Sequence, residues 1–559
     1  MKNVLCDVRK TFVYNDKLEC LAKNNPKLVE QLVLIGRKFS DFVYSLKSGT
    51  LMFPTEDPGN IMDYVNNYKT FFGPVYYCGA VCYAKESLSN LSKALTRVTC
   101  SREPDIPGFS LDMERNQMYS FDMSGSTVWH TVWRNYFSWL KSRCFCPVQE
   151  LGEHFDVIKT DSERLHPKRK LRMQAYQELI DKGTLLTMDY LRSIGGKLKC
   201  PEWAKPGKFP RLVGDYTCPG SLLGGAVCAC IKHVFEEWYV IKDLQMRFVF
   251  TPDYNTLKDC YSRLLTEGVF TFIYHSDDAC ASIPCLDKQV YVNIDISSCD
   301  ASNGVSVFKF VSNLVKDTYW GRVVDLCIKQ CEKPLKIFNP RNPREKVKLT
   351  NVGGPIEYSG TVLTTLLNNV ATSAICLSIY VNCRNVHSRN ISSSIAKAAA
   401  AVGYKVTVEV AEVFEDVQFL KTSPTRCSND VSVFLNFGVI LRSYGSCNGD
   451  LPGRGSIAQR GYLRNCEITQ GMCHAGDSSI MRILRTRFPK RQGKENIHWL
   501  VDNMSGFEES VVSDEAIRAR YRLSEHEYMI LLSLLEQADI GDIVCCDALR
   551  KIFSKDYGL

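Results

Sequence analysis

What this chain of 559 residues has little of narrows it first. No window has the length and apolarity of a bilayer-crossing helix, which needs about 20 residues. The opening MKNVLCDVRKTFV lacks the apolar centre of a secretory leader. The expectation is a soluble, cytosolic chain with no transmembrane segment. The 25 cysteines contain no repeated CxxC with a matching histidine pair. Cys78 and Cys82, Cys144 and Cys146, and the adjacent Cys545 and Cys546 do not make one, and Cys473-His474 lacks partners. Scattered buried thiols in a reducing compartment are expected. No evenly spaced run of strands suggests a jelly roll.

What is present is ordinary for a globular protein, 45% hydrophobic and 23% charged. The length calls for several subdomains. The net charge of +8 permits a polyanionic partner without requiring one. The basic residues are bunched, in HPKRKLR (166–172), GKLK (196–199) and RTRFPKRQGK (485–494).

Apolar spacing predicts helices over 28–46 and 127–140, the second with a dense aromatic face suited to core packing. From about 151 the chain turns basic and helical, through LRMQAYQELIDKG and MDYLRSIGG. A Pro/Gly loop then carries Lys208 and Arg211 into a short strand. Residues 305–335 read as helical, and 334–355 as a basic hairpin or loop. ISSSIAKAAAAVGYKVTVEV reads as helix, glycine stop and strand. Residues 415–421 read as the edge of a strand pair, and from about 430 the chain is strand-poor.

Two carboxylate clusters follow strand-like runs. Val269–Tyr274 ends in Ser276-Asp277-Asp278, and Val290–Ile294 ends in Asp295, with Asp300 five residues on. Acidic residues cap strands and fill turns everywhere, and either cluster alone reads that way. Two clusters at neighbouring strand ends suit metal-assisted phosphoryl transfer, in which paired divalent ions are held by acidic side chains. Further on, Ser359-Gly360-x3-Thr364-x3-Asn368 opens a long helix with Thr364 and Asn368 on one face. A serine-capped polar helix start has the same look. The asparagine also suits a ribose hydroxyl.

Together these residues resemble the motifs of viral RNA-dependent RNA polymerases of the right-hand fold. Asp295-x4-Asp300 resembles motif A, the Ser359–Asn368 pattern motif B, Ser276-Asp277-Asp278 motif C, and the Lys208/Arg211 loop motif F. The family's usual order is A, B, C. Here the SDD comes first, and no aspartate occurs between Asn368 and the motif D helix. Asn448-Gly449-Asp450 falls in a Gly/Pro loop too late to serve. The order C, A, B is similar to that of permutotetravirus and birnavirus polymerases.

The resemblance implies an α+β fold with fingers, palm and thumb around an RRM-like antiparallel palm sheet of permuted connectivity. It divides the chain into an N-terminal extension bridging to the fingers (1–150), fingers with motif F (151–255), palm (256–428) and a mainly helical thumb (429–559). Within the palm, motif C takes 269–283, motif A 290–304, a fingers insertion 310–355, motif B 357–380, and motifs D and E 391–424.

It also implies a chemistry, in which Asp277, Asp278 and Asp295 hold two Mg²⁺ ions, with Mn²⁺ as a substitute. Lys208 and Arg211 neutralise the NTP triphosphate. Asp300, Ser359, Gly360, Thr364 and Asn368 select the ribose. Lys405 is a candidate general acid; a solvated lysine after a helix has the same look. The implied partners are RNA template and product, NTPs and other viral replication proteins, in the host cytoplasm. The alternatives are a reverse transcriptase, disfavoured by Asp300 and Asn368, and a catalytically inactive RNA-binding replication scaffold, disfavoured by the intact carboxylates.

Overall fold

The computed structural model describes residues 127–144, 194–199, 211–215, 236–250, 252–318, 320–339, 342–349, 354–428, 430–444, 478–487, 510–539 and 542–558, with short strands and single turns elsewhere. In chain order the elements that matter are α1 (Thr127–Cys144), β1 (Ile194–Leu198), β2 (Leu212–Asp215), β3 (Trp238–Ile241), β4 (Leu244–Phe248), α2 (Tyr254–Leu264), β5 (Phe270–His275), β6 (Asp278–Pro284) and β7 (Gln289–Ile296). Then come α3 (Cys299–Ser302), α4 (Val305–Val315), α5 (Gly321–Cys331), β8 (Leu335–Asn339), β9 (Asn342–Leu349), α6 (Thr364–Asn382), α7 (Ile391–Ala401) and β10 (Val406–Val410). A hairpin, β11 (Thr422–Cys427) and β12 (Asp430–Leu435), leads into α8 (Phe437–Ser443), α9 (Ser479–Arg487), α10 (Asp514–Tyr521), α11 (Glu525–Gln537) and α12 (Asp547–Tyr557). The architecture is α+β.

A six-stranded sheet in the order β3-β4-β5-β6-β7-β10 forms the centre. Only β4 and β5 run parallel, joined through α2; every other pair is antiparallel. Both faces of β5 are covered, which is why its sequence is a continuous apolar run rather than an alternating one. Phe270, Phe272 and Tyr274 enter the main core, while Ile273 enters a second cluster with Tyr254, Leu257 and Tyr261 of α2 and Val431 and Val433 of β12. A side sheet, β2-β1-β8-β9, carries the Arg211 segment at one edge. A third cluster unites α8–α12 with Phe434 and Leu435 at the end of β12.

α6 lies at the middle of the main core, buried from Leu366 to Tyr380. Its polar groups are satisfied internally, as buried groups must be. Ser378 Oγ donates to Ala398 O at 2.7 Å, and Ser373 Oγ to Asn369 O at 2.7 Å. With 19 residues and a mean hydropathy of 1.3, this helix does reach the length and apolarity of a membrane span, contrary to the sequence expectation. Its 83% burial marks it as the core helix of a folded protein.

The aromatic helix over 127–140 is present as α1, and its aromatic face packs inward. Trp133 and Tyr136 are buried, and the Tyr136 hydroxyl meets those of Tyr274 (2.5 Å) and Ser373 (3.2 Å). Buried thiols follow the composition: Cys228, Cys260, Cys280, Cys299, Cys376 and Cys383 are all reduced.

Several expectations need correction. The end of the helix predicted over 28–46 is a strand, Val43–Ser45, paired antiparallel with Thr50–Pro54. The aromatic and β-branched Val43-Tyr44 favours that pairing; the rest of the segment lies outside the described residues. The end of MDYLRSIGG is likewise strand β1, not helix. Within 415–421 the chain makes a 3-10 turn at Phe414–Asp416, and the strand starts only at Thr422.

Trp133 is fully buried against Phe310, 5.3 Å between ring centroids. Trp133→Ala is expected to cost about 3–5 kcal/mol by emptying that site. The shift in thermal or urea midpoint measures it; a change near zero would show that α1 is not part of the core.

Candidate active site

The site begins at the turn between β5 and β6. Ser276 sits there in the left-handed region, φ 57°, a conformation costing a non-glycine residue roughly 1–2 kcal/mol. α6 holds it from three positions. Asn369 Oδ1 accepts from Ser276 N at 2.6 Å, Thr372 Oγ1 donates to Ser276 O at 2.5 Å, and Asn368 Nδ2 donates to Ser276 Oγ at 3.1 Å. The turn therefore presents Asp277 and Asp278 in one fixed orientation.

Asp278 opens β6 and stands directly opposite Asp295 of β7. Paired positions in an antiparallel ladder lie about 4.5–5.5 Å apart at Cα. Asp295 is exposed and faces Thr407 of β10 on its other side. The Asp278 carboxyl is pushed up to about 7 by burial, with Asp277 and Asp295 adding to the rise and the Leu420 amide and Lys421 opposing it. Leu420 N donates to Asp278 Oδ2 at 2.8 Å.

Among the described residues, no three carboxylate, histidine or cysteine side chains converge closely enough to form a ready-made metal cage. The donor set still suits a hard divalent cation. Magnesium takes only one or two carboxylates and completes its shell with water and phosphate oxygens; Asp278 and its register partner Asp295, with Asp277 beside them, can supply that many.

Asn368 is 1% exposed and all its hydrogen-bonding capacity is used. Its Nδ2 donates to Asp300 Oδ1 (2.8 Å) as well as to Ser276, and its Oδ1 accepts from Asn303 Nδ2 (2.8 Å) and Cys299 Sγ (3.2 Å). It ties the SDD turn to the α3 segment. Asp300 is raised by burial, with Asn368 and a Ser359 hydrogen bond holding it down, Asp277 raising it and Arg211 lowering it. Ser359, Asp300 and Arg211 thus lie together.

Gly360 has φ 108°, and a Cβ there would come within 2.5 Å of Gly214 O. Gly214 N in turn donates to Ser359 O at 2.7 Å. Strand β2 and the Ser359-Gly360 loop are locked together, and only glycine permits the approach.

Thr364 faces the buried Glu357 rather than open space, although neither Thr364 Oγ1 nor Glu357 Oε1 completes a well-aligned hydrogen bond. Lys405 is exposed; its carbonyl accepts from Ser297 N at 2.8 Å, just beyond Asp295. Lys208 lies outside the described residues.

Sequence reasoning missed three groups. Glu357 is fully buried, its carboxyl held well above the usual range by burial and by Asp300. Its Oε2 accepts from Asn303 Nδ2 at 2.8 Å, and Asn303 Oδ1 accepts from Tyr404 at 2.7 Å. The other is Lys421, whose amine burial pulls down while Asp556 and Asp278 pull it up. Glu357 stands two residues before Ser359, a weak signal; nothing near Asn303 or Lys421 distinguished them.

The Asp278 carboxyl titrates higher in the folded chain than its ordinary 3.8, so folding takes up a proton there. Its contribution makes the metal-free protein lose stability as pH rises from about 4 to about 7. Asp278→Asn removes that loss and keeps an acceptor for Leu420 N. In chelator, the variant should melt higher than the parent at pH 8, with the gap closing towards pH 5. A variant less stable than the parent at pH 8 would contradict this account.

No protein-family model matches the chain, and no curated protein matches it. Among the solved structures similar to it are two viral polymerase structures. One is the RNA polymerase VP1 from infectious pancreatic necrosis virus, at 11% identity and a TM-score of 0.38, covering 53% of this chain and 44% of that one. The other is the birnavirus VP1–VP3 complex, at 11% identity and a TM-score of 0.39, covering 57% of this chain and 48% of that one. The match spans less than half the length of each.

Proposed function

We propose that the protein is a viral RNA-dependent RNA polymerase that extends an RNA 3′-hydroxyl with NTPs on an RNA template. One observation carries the reading: Asp278 and Asp295 are register partners, and the helix that follows the Ser-Gly turn clamps the SDD turn that leads into β6. Two motifs of reversed sequence order meet at one end of one sheet, where nucleotidyl transfer needs them.

In this reading the six-stranded sheet is the palm, in the motif order C, A, B. The β11–β12 hairpin leads to a helical thumb, and the Arg211 strand belongs to the fingers. Asp277, Asp278 and Asp295 would hold the divalent ions, Mg²⁺ or Mn²⁺, which supply activation of the attacking hydroxyl and charge neutralisation at the triphosphate. The chain's own residues bind and orient. Arg211, with Lys208, neutralises phosphate charge. Asp300 and Ser359 meet the sugar, and Asn368 holds Asp300 in place for that contact rather than touching the sugar itself. Catalysis is positioning plus electrostatic stabilisation. Lys405 remains the candidate proton donor to the leaving pyrophosphate.

Base pairing reads the template, so protein contacts go to the backbone and weaken with salt. Other viral replication proteins are the expected partners, in the host cytoplasm.

The test is template-directed incorporation by the purified chain. Asp295→Asn should reduce nucleotide addition to background while RNA affinity stays within about twofold, because RNA affinity rests mainly on backbone contacts. Parallel loss of both activities would refute the assignment. An inactive parent over a broad range of metal, template and primer would favour the scaffold reading; preference for dNTPs would favour reverse transcription.

Asn368→Ala should narrow the NTP/dNTP preference. It takes one hydrogen-bond partner each from Asp300, Asn303 and Ser276, at about 1–3 kcal/mol for any polar atom thereby left unpaired, so melting temperature must be measured beside it. Unchanged discrimination in a folded variant would remove Asn368 from sugar selection.

A further inference from the structure

Leu420 and Lys421 are consecutive residues in the left-handed region, with φ of 50° and 61°. Phe419 and Thr422 exchange both backbone hydrogen bonds across them, at 3.0 and 2.9 Å. This closes a two-residue turn whose central positions ordinarily go to Asn-Gly. Leucine and lysine there are strained, and such strain persists only where the surroundings over-determine it.

The surroundings here come from two directions. On one side Leu420 N donates to Asp278 Oδ2 at 2.8 Å. On the other, Lys421 Nζ donates to the Asp556 carbonyl at 2.6 Å and lies 4.9 Å over the Tyr557 ring. Asn436 N also donates to Lys421 O at 2.9 Å.

Asp556 sits in the last helix and is anchored in turn. Its side chain and that of Arg520 form a fully buried ion pair at 2.9 Å. Its Oδ2 accepts from Tyr521 OH and Gly438 N, each at 2.8 Å. Arg520 also donates to Glu415 O (2.8 Å) and Gln418 Oε1 (2.9 Å), which fixes the segment leading into the turn. A continuous line of bonds therefore runs from the C-terminal helix to a carboxylate of the site.

We propose that Asp556 is a positioning residue for nucleotidyl transfer: through Arg520 and Lys421 it holds the Leu420–Lys421 turn in its strained form, so that the Leu420 amide fixes one oxygen of Asp278 and leaves the other for the metal. The inference rests on the polymerase reading above. Partners of a metal ligand that act from outside its coordination shell set its orientation and the site's affinity.

A double-mutant cycle in the full chain tests it. Leu420→Val keeps an apolar side chain and adds no charge, but a β-branched residue does not hold a positive φ, so the turn is released. It should raise the Mg²⁺ concentration for half-maximal incorporation about tenfold and shrink the rise in melting temperature that Mn²⁺ brings. Asp556→Asn should act in the same direction while also lowering the melting temperature in chelator, because Arg520 loses its counter-charge. Combining the two should add little to the metal shift of Leu420→Val alone, since both act through one turn.

Additive shifts, or an unchanged or lowered metal requirement in Leu420→Val, would overturn the proposal. If Asp556→Asn does not fold, Leu420→Gly takes its place beside Leu420→Val: glycine holds the positive φ, so a metal requirement near the parent's supports the proposal and a shift equal to valine's overturns it. A parent with no incorporation at any metal concentration overturns the polymerase reading and this inference with it. An active parent whose metal requirement ignores the turn overturns this inference alone.

Discussion

The site depends on how α6 grips the Ser276 turn. Three contacts from one helix, by Asn368, Asn369 and Thr372, satisfy the side chain, amide and carbonyl of one residue held at positive φ. Without them the turn would relax towards an ordinary backbone, and Asp277 and Asp278 would lose their fixed aim. α6 can grip so firmly because it is buried along nearly its whole length, and an unmade bond there costs more than the bond itself returns. The amide of Asn368 then carries the constraint onward to Asp300 and Asn303, and Asn303 to Glu357 and Tyr404. One buried network thereby couples the SDD turn, the α3 segment and the Ser359-Gly360 loop.

That coupling explains why the order of the strands along the chain matters little. The ladder β5-β6-β7 is built from hairpin neighbours, and α6 arrives from a connection of more than sixty residues after β7. The network needs the three parts in contact and is indifferent to which loop joins them. Long-range pairing carries a cost in chain closure that grows only slowly with loop length. The fixed quantities are local: the register Asp278–Asp295 and the helical spacing of Asn368, Asn369 and Thr372.

Much of this was legible beforehand. The strand-like runs before both carboxylate clusters, the Ser-Gly entry to a long helix, and the helix-glycine-strand pattern over 391–410 all depend on local periodicity and turn chemistry, which a single sequence carries. What it does not carry is register. That Asp278 faces Asp295 follows from a tight hairpin two strands wide, and a one-residue slip would have turned the carboxylates to opposite faces. Asn368 was singled out for its reach to a sugar, yet its role as a fully bonded hub depends on Asn303 and Cys299, brought in by the α3 turn. Val43–Ser45 misled because a short apolar stretch fits helix or strand equally until a partner strand decides.

The carboxylate site also shows how the fold bears an internal conflict. Burial pushes the Asp278 carboxyl up to about 7, and the neighbouring Asp277 and Asp295 add to the rise. The fold does not relieve this by spreading the strands, since the ladder on either side is continuous. It meets it with a backbone amide from a strained turn and with the buried amine of Lys421, both supplied by the segment after β10. Those groups offset only part of that cost. The remainder is a standing penalty on ionising Asp278 at that place, so the burial that fixes the carboxyl at the sheet end also holds its proton.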